Sequence, residues 1–187
     1  MIVFPPPLMA WLIVHPFIET WRKFGVRGAY VIVCAIVVLG MIAIWSIRRW
    51  ALTAEFGSNW LLLALSVAPF AGAIYIGVRR AQAMKTSTLF GLAEIKGSRK
   101  TGDLVTDGIY AEVRHPRYVE GFLVLCAVAL FTNYLAMYVV TAVSVPVILL
   151  VVIAEERELL RRFGRDYEEY CARVPRFIPK IFFQRER

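Results

Sequence analysis

The chain has 187 residues, 59% of them apolar and 19% charged, with 22 Lys and Arg against 14 Asp and Glu for a formal net charge of +8. Globular domains are typically about 45–50% apolar and about 25% charged, and a body this small has too much surface for its volume to hide the excess in its own core. An ordinary soluble domain is excluded. High apolarity with high positive charge points to a membrane protein whose two kinds of residue are segregated along the chain.

Residues 1–21 combine apolar runs with Pro5-Pro6-Pro7, His15-Pro16 and Glu19. They lack the basic start and small-residue cleavage site of a secretory signal, and are expected to form a fifth span or a partly inserted helix. Gly28 to Ile47 is a run of twenty residues without a formal charge, long enough at about 1.5 Å per residue to cross the ~30 Å hydrocarbon core. Trp60 to Val78 is a second such run, of nineteen residues, with Pro69 inside it. Val119 to Ala154 is too long for one span and is interrupted at Thr132-Asn133. It reads as a helical hairpin with arms at Gly121 to Phe131 and Tyr134 to Ala154, the second carrying Pro146 as an expected kink. Helices are required throughout, because a bilayer offers backbone groups no external hydrogen-bond partners.

These elements predict an all-α integral membrane protein of about five transmembrane helices, ending in the hairpin and an amphipathic cytosolic helix. It would be a single membrane domain over residues 1–187. Residues 1–78 hold the N-terminal spans, 79–120 a cytosolic loop, 121–154 the hairpin and 155–187 a cytosolic tail. If the Gly28 span runs outward, twenty of the 22 basic residues fall on the cytosolic side, as the positive-inside rule prefers. Loop and tail then share the cytosol in a multi-pass protein. The basic residues flank spans and form no nucleic-acid motif, so attraction to anionic lipid headgroups accounts for them and no nucleic-acid partner is expected. Cys34, Cys126 and Cys171 are far apart, which suggests neither a metal site nor a disulfide framework.

Two polar stretches carry the chemistry. The first, residues 101–118, contains the turn signal Asp107-Gly108 and the sequence Arg114-His-Pro-Arg-Tyr118, in which Pro116 disfavours helix at His115. It delivers an imidazole, a guanidinium and two phenols to the mouth of the hairpin, beside Glu120. The second follows the last span. Glu156, Leu160, Phe163, Tyr167, Tyr170 and Val174 recur at helical spacings of three and four and mark one stripe of a helix that Pro175 ends. Glu155 and Glu156 stand at the C-terminal end of a long span, where the helix dipole disfavours carboxylates, so local electrostatics do not explain them. Plain alternatives exist for each feature: Arg114 and His115 also suit an interfacial position, and the aromatic stripe also suits packing.

Taken in order, Leu104-Val-Thr-x-Gly-x-Tyr110, Arg114-His-Pro-x-Tyr118, Glu155-Glu156 and Phe163-Gly-x-x-Tyr167-x-x-Tyr170, closing with Val174-Pro-Arg176 and Pro179, resemble the isoprenylcysteine carboxyl methyltransferase family and its phospholipid methyltransferase-like relatives. The resemblance covers roughly Leu104 to Pro179. It implies an enzyme that moves a methyl group from S-adenosylmethionine to a lipophilic acceptor dissolved in the membrane: a prenyl or lipid carboxylate, amine or thiol. Tyr110, Arg114, His115, Pro116, Tyr118, Glu155 and Glu156 would bind the cofactor. Glu155, Glu156 and Arg176 would act in catalysis, with Tyr167 a lesser candidate for closing the site, and no metal is implied. The chain departs from the family pattern at Ile109, Ala111, Arg117 and Glu120, and Gly121 stands one position late. Two other readings remain at this point. Membrane sterol reductases that use NADPH share the His-Pro-x-Tyr element and the closing tail, though they are much longer. A non-catalytic membrane scaffold is the other.

Overall fold

The computed structural model describes residues 28–49 in part, 54–83 and 104–179. Helices dominate, and among the described residues there is no β-strand, only an isolated antiparallel bridge between Glu55 and Tyr134. The described residues between 28 and 49 are mostly helical. Helix α1 runs Trp60–Ala83, a 3-10 turn spans Gly108–Ala111, and three helices follow: α2 at Pro116–Thr132, α3 at Leu135–Phe163 and α4 at Arg165–Arg173. The expected span at residues 1–21 and the first part of the cytosolic loop lie outside the described residues.

Helices α1 and α3 are long and apolar enough to cross a membrane, and only 11% of the most apolar window of each is buried within the protein. A core helix of a soluble protein would be mostly covered. Here Leu61, Leu63, Leu65, Val67, Phe70, Ile74 and Val78 of α1 face outward, which suits a lipid-facing surface. Trp60, 80% exposed, begins this helix and Arg79 and Arg80 lie near its end, the arrangement of an aromatic interfacial anchor at one boundary and cations at the other.

Helix α2 begins at Pro116, five residues before the expected first arm at Gly121. The reason is local: proline at the first helical position loses an N–H that would be unpaired anyway, so the motif itself nucleates the hairpin. Helix α3 has 29 residues, about 43 Å at 1.5 Å per residue, well beyond the ~30 Å needed to cross. The surplus is its last turns. Past the expected end of the span at Ala154 the helix continues through Glu155 and Glu156, as the stripe of apolar and aromatic residues indicates, and stops at Gly164, whose φ of 56° lies where only glycine is unstrained. The amphipathic helix read after the span is thus divided between the end of α3 and α4, with Tyr167, Tyr170 and Val174 of the predicted stripe buried together.

Two devices hold the arms. At the hairpin turn Asn133 adopts φ 52° and caps α2 through its N–H to the Ala129 carbonyl at 2.9 Å. Its side-chain amide donates to the Gly57 carbonyl at 2.8 Å and accepts from the Tyr138 hydroxyl at 3.0 Å. Phe56 and Leu135 add backbone bonds across the same junction, to the Asn133 and Ala54 carbonyls. At the other end α1 approaches α2 closely, because Gly77 has no Cβ: one built there would stand 3.0 Å from an Oε1 of Glu120. Glu120 is then held by Arg80 at 2.8 Å. Small residues at helix contacts in membranes permit this approach.

Asn133 combines a left-handed backbone with two buried side-chain bonds. Asn133→Ala should destabilise the detergent-solubilised protein by about 2 kcal/mol, the sum of a left-handed penalty and stranded partners. Asn133→Gly, which relieves the backbone, should cost about half as much. Thermal unfolding of the two variants side by side checks the order.

Candidate functional site

The end of α3, the segment before α2 and the tail after α4 converge on Glu156. Its carboxylate is buried, 6% exposed, and takes three partners. The Arg114 guanidinium donates to Oε1 at 2.7 Å and His115 Nε2 lies 3.2 Å from the same oxygen. Arg176 reaches Oε2 at 2.6 Å through Nη2 and also donates through Nε at 3.0 Å. A carboxylate taken out of water demands this compensation. Since a carboxylate only accepts, His115 Nε2 is the donor, which leaves Nδ1 as the ring atom nearest Glu155.

Consecutive residues of an α-helix project about 100° apart, so Glu155 looks elsewhere. Its Oε2 accepts from the Tyr118 hydroxyl at 2.8 Å and lies 3.8 Å from His115 Nδ1. Its Oε1 has no partner among the described residues, and its side chain is 20% exposed against 9% for Glu156. Of the two acids, Glu155 keeps acceptor capacity and a route to solvent.

The loop and tail are pinned to each other by backbone. Arg114 N–H donates to the Pro175 carbonyl at 2.9 Å and His115 N–H to the Arg176 carbonyl at 3.1 Å. The Arg114 guanidinium donates to the Cys171 carbonyl at 3.0 Å and also to that of Val174. The Tyr170 hydroxyl donates to the Tyr110 carbonyl at 2.6 Å. Phe177 lies tilted against the His115 ring with centroids 6.2 Å apart, and Tyr118 meets that ring edge-on at 5.9 Å. Burial lifts the Tyr110 phenol to about 12 and pushes those of Tyr167 and Tyr170 above their ordinary range. All three are neutral hydroxyls near pH 7.

A second charged group adjoins the first. Arg79 pairs with Glu112 at 2.9 Å and Arg80 with Glu120, tying the end of α1 to the 3-10 turn and to α2. Arg117 sits beside them half-buried, its guanidinium lowered to about 10 by burial and then by the neighbouring Arg80.

The structure therefore brings together His115, Tyr118, Glu155, Glu156, Arg114 and Arg176, all singled out in the sequence, with Pro116 buried at the first turn of α2 beside them. Tyr110 is set by its backbone carbonyl, and Tyr167 is 1% exposed in the cluster under α4 rather than among the charged groups. The sequence reading missed the Arg79 and Arg80 partnerships, whose members are 33 and 40 residues apart, and the backbone pairing of residues 114–115 with 175–176. The one available hint was the basic pair Arg79-Arg80 directly after a span, with Glu112 and Glu120 flanking the motif.

The phospholipid methyltransferase family profile matches residues 61–166, more than half of the chain, from the start of α1 to the start of α4. The chain belongs to that family, and the resemblance read from its motifs is borne out. Among individual relatives, it is 38% identical over 92 residues to protein-S-isoprenylcysteine O-methyltransferase of Schizosaccharomyces pombe, covering 48% of this chain and 39% of that protein. It is 31% identical over 83 residues to the nickel-cobalt-cadmium resistance protein NccN of Alcaligenes xylosoxydans xylosoxydans, covering 44% and 39%. A longer match, 26% identical over 185 residues, is to methanethiol S-methyltransferase 2 of Bradyrhizobium diazoefficiens and covers 90% of this chain and 67% of the relative. The matched part spans about two fifths of the length of the first two relatives. No solved structure matches the chain significantly.

Removing the charge from Glu156 leaves Arg114 buried without its counter-ion. Glu156→Gln should destabilise the protein by about 3 kcal/mol, the low end for breaking a buried pair, because Arg176 is half exposed and rehydrates. Denaturant unfolding in detergent checks this, with Glu155→Gln as the milder control.

Proposed function

We propose that the protein is a membrane methyltransferase that moves the methyl group of S-adenosylmethionine to a lipophilic acceptor dissolved in the bilayer. Family membership supports the reaction class. The observation that carries the reading is the pair of adjacent carboxylates at the end of a membrane-crossing helix, one saturated by cations and the other still able to accept. With the Gly28 span running outward, twenty of the 22 basic residues would share one side of the spans, which supports a site that opens to the cytosol in a multi-pass protein.

The donor set fits the cofactor. S-adenosylmethionine carries an ammonium, a sulfonium and a carboxylate, and when bound it supplies an electrophilic methyl carbon. Glu155 Oε1 offers an acceptor for the cationic part. Arg176 is 47% exposed, and its Nη1 is not used by Glu156, so it offers a donor for the carboxylate. His115, Pro116 and Tyr118 would line the cofactor's seat beside Glu155, with Tyr110 on the loop side, where its carbonyl accepts from the Tyr170 hydroxyl.

The chain's own residues then have three tasks. Glu156, Arg114 and Arg176 hold loop and tail at fixed separation, the orientation on which an in-line displacement depends. The apolar faces around α2 and α3 keep water from the reacting atoms. Glu155 takes a proton where the acceptor carries one, as an amine does; a carboxylate or a thiolate needs none. The isoprenylcysteine and methanethiol relatives methylate oxygen and sulfur by name, which supports an isoprenylcysteine-like carboxylate or a lipophilic thiol that gives up its S–H proton before it attacks, with a lipid amine as the third class.

Purified protein in detergent should bind S-adenosylmethionine saturably in a calorimetric titration, and should label components of a lipid extract when given isotope-labelled methyl donor, detected by mass spectrometry. Glu155→Gln should lower the labelling rate about a hundredfold, the scale of a lost proton-transfer group, if the acceptor is an amine. For a carboxylate or thiolate acceptor the loss should appear in cofactor affinity instead. Absence of saturable cofactor binding by folded protein overturns the proposal.

A further inference from the structure

The sequence pattern places Arg114 among the groups that bind the cofactor, and its geometry argues for a different task. The Arg114 side chain is 8% exposed. One terminal nitrogen donates to Glu156 at 2.7 Å, and the other donates to the carbonyls of Cys171 and Val174 at the end of α4. Its own backbone N–H is tied to the Pro175 carbonyl at 2.9 Å. Its remaining donor, Nε, is buried with no partner among the described residues. An arginine fork matches such fixed acceptors because its donors are planar and pre-set, which a lysine ammonium does not reproduce.

We propose that Arg114 is a positioning residue: a clasp that joins α3, the C-terminal end of α4 and the tail, and so sets the rotamer of Glu156 and the seat of Arg176 without touching the ligand. This rests on the methyltransferase reading for its catalytic consequence, but not for its structural one. The clasp explains why a carboxylate at 6% exposure points at the loop rather than at solvent. It also explains how the tail, paired to the loop by the backbone bonds of residues 114–115 with 175–176, keeps one course: two carbonyls of the preceding helix end are fixed by the same guanidinium. The group that meets the ligand's carboxylate is then Arg176, the exposed member of the pair that shares Glu156.

The first test uses no ligand. Hydrogen exchange of the amides of residues 170–178 in the ligand-free protein should accelerate about ten- to a hundredfold in Arg114→Gln, the scale of lost hydrogen bonds to a charged group. Arg114→Lys should restore little of that protection, since one ammonium cannot span Glu156 and the helix-end carbonyls. In Arg176→Gln the same amides should change by less than about threefold, because the Arg114 bonds remain. Unchanged exchange in a folded Arg114→Gln protein overturns the clasp.

The second test separates positioning from ligand contact. Calorimetric affinities are compared for S-adenosylhomocysteine and for its analogue lacking the carboxylate, on wild type, Arg114→Lys and Arg176→Gln. A positioning residue weakens both ligands, the full one more because Arg176 loses its seat as well. A carboxylate-binding residue weakens only the first, which is the result expected of Arg176→Gln. Equal affinity of Arg114→Lys and wild type for the truncated analogue, with loss only for the full one, overturns the proposal. Failure of wild type to bind either ligand removes the methyltransferase reading and leaves the exchange test standing.

Discussion

The carboxylate of Glu156 is the point on which the polar site of this protein depends. It belongs to a helix of the membrane-crossing kind, yet its partners come from a loop 41 and 42 residues earlier and from a tail 20 residues later. A single buried anion with two guanidiniums and an imidazole around it is not a strong source of stability by itself, since desolvation consumes much of the Coulombic gain. Its value is directional. The three donors have one acceptor group, so loop and tail can take only one arrangement relative to α3. The backbone bonds between residues 114–115 and 175–176 add geometry to that choice. What results is a polar site assembled from loop and tail, set beside the apolar cluster in which Leu104 packs against Tyr167, Tyr170 and Val174.

The length of α3 makes the position of that anion possible. About twenty residues of it suffice for the hydrocarbon core, and Glu155 and Glu156 fall just after that length. A carboxylate several residues earlier would be inside the bilayer, where a charge costs several kcal/mol unless paired. One several residues later would be beyond the reach of the α2 mouth. The end of the span is the depth at which charged groups can be both desolvated by protein and supplied from water. The same boundary collects Arg79 and Arg80 from the end of α1 and the proline-started first turn of α2, so α1, α2 and α3 end or begin their polar chemistry at one level.

Much of this could be read from the amino-acid order, because the signals are local. Charge-free runs mark α1 and α3, Thr132-Asn133 marks the hairpin turn, and the spacing of Tyr167, Tyr170 and Val174 marks one buried stripe. His115-Pro116 was legible as an interruption before a span, although the helix takes Pro116 as its first residue, five positions earlier than hydrophobicity alone indicates. Hydropathy registers where apolar residues begin; a helix begins where its first free N–H is dispensable. The continuation of α3 past the apolar run was legible in that stripe, but its stop at Gly164, inside the stripe, was not. Glu155 and Glu156 interrupt the apolar pattern but not the backbone hydrogen bonding, which persists until Gly164. What was not legible is the pairing of distant charges. Nothing near Arg80 in sequence distinguishes Glu120 from the other acids, and nothing near Arg114 announces the carbonyls of Cys171 and Val174. Such contacts depend on the tertiary path, and one sequence does not encode them in any spacing.

The two adjacent glutamates show why that distinction matters for function. As a motif they are one feature, and sequence reasoning gives them one role. In the helix they are rotated about 100° from each other, and their surroundings separate them. Glu156 faces the loop and tail and has both oxygens engaged by cations. Glu155 faces Tyr118, with one oxygen free of described partners and more of its side chain reachable by solvent. A group that must exchange partners with a ligand needs spare capacity, and a group that must hold a frame needs none. The site thus assigns frame and contact to neighbouring residues of identical chemistry by direction alone. The same separation recurs in its two arginines, with Arg114 enclosed by protein acceptors and Arg176 half open to solvent. Glu156 and Arg114 form the enclosed, holding half, while the more accessible Glu155 and the half-exposed Arg176, which shares Glu156, keep groups that can respond to a ligand.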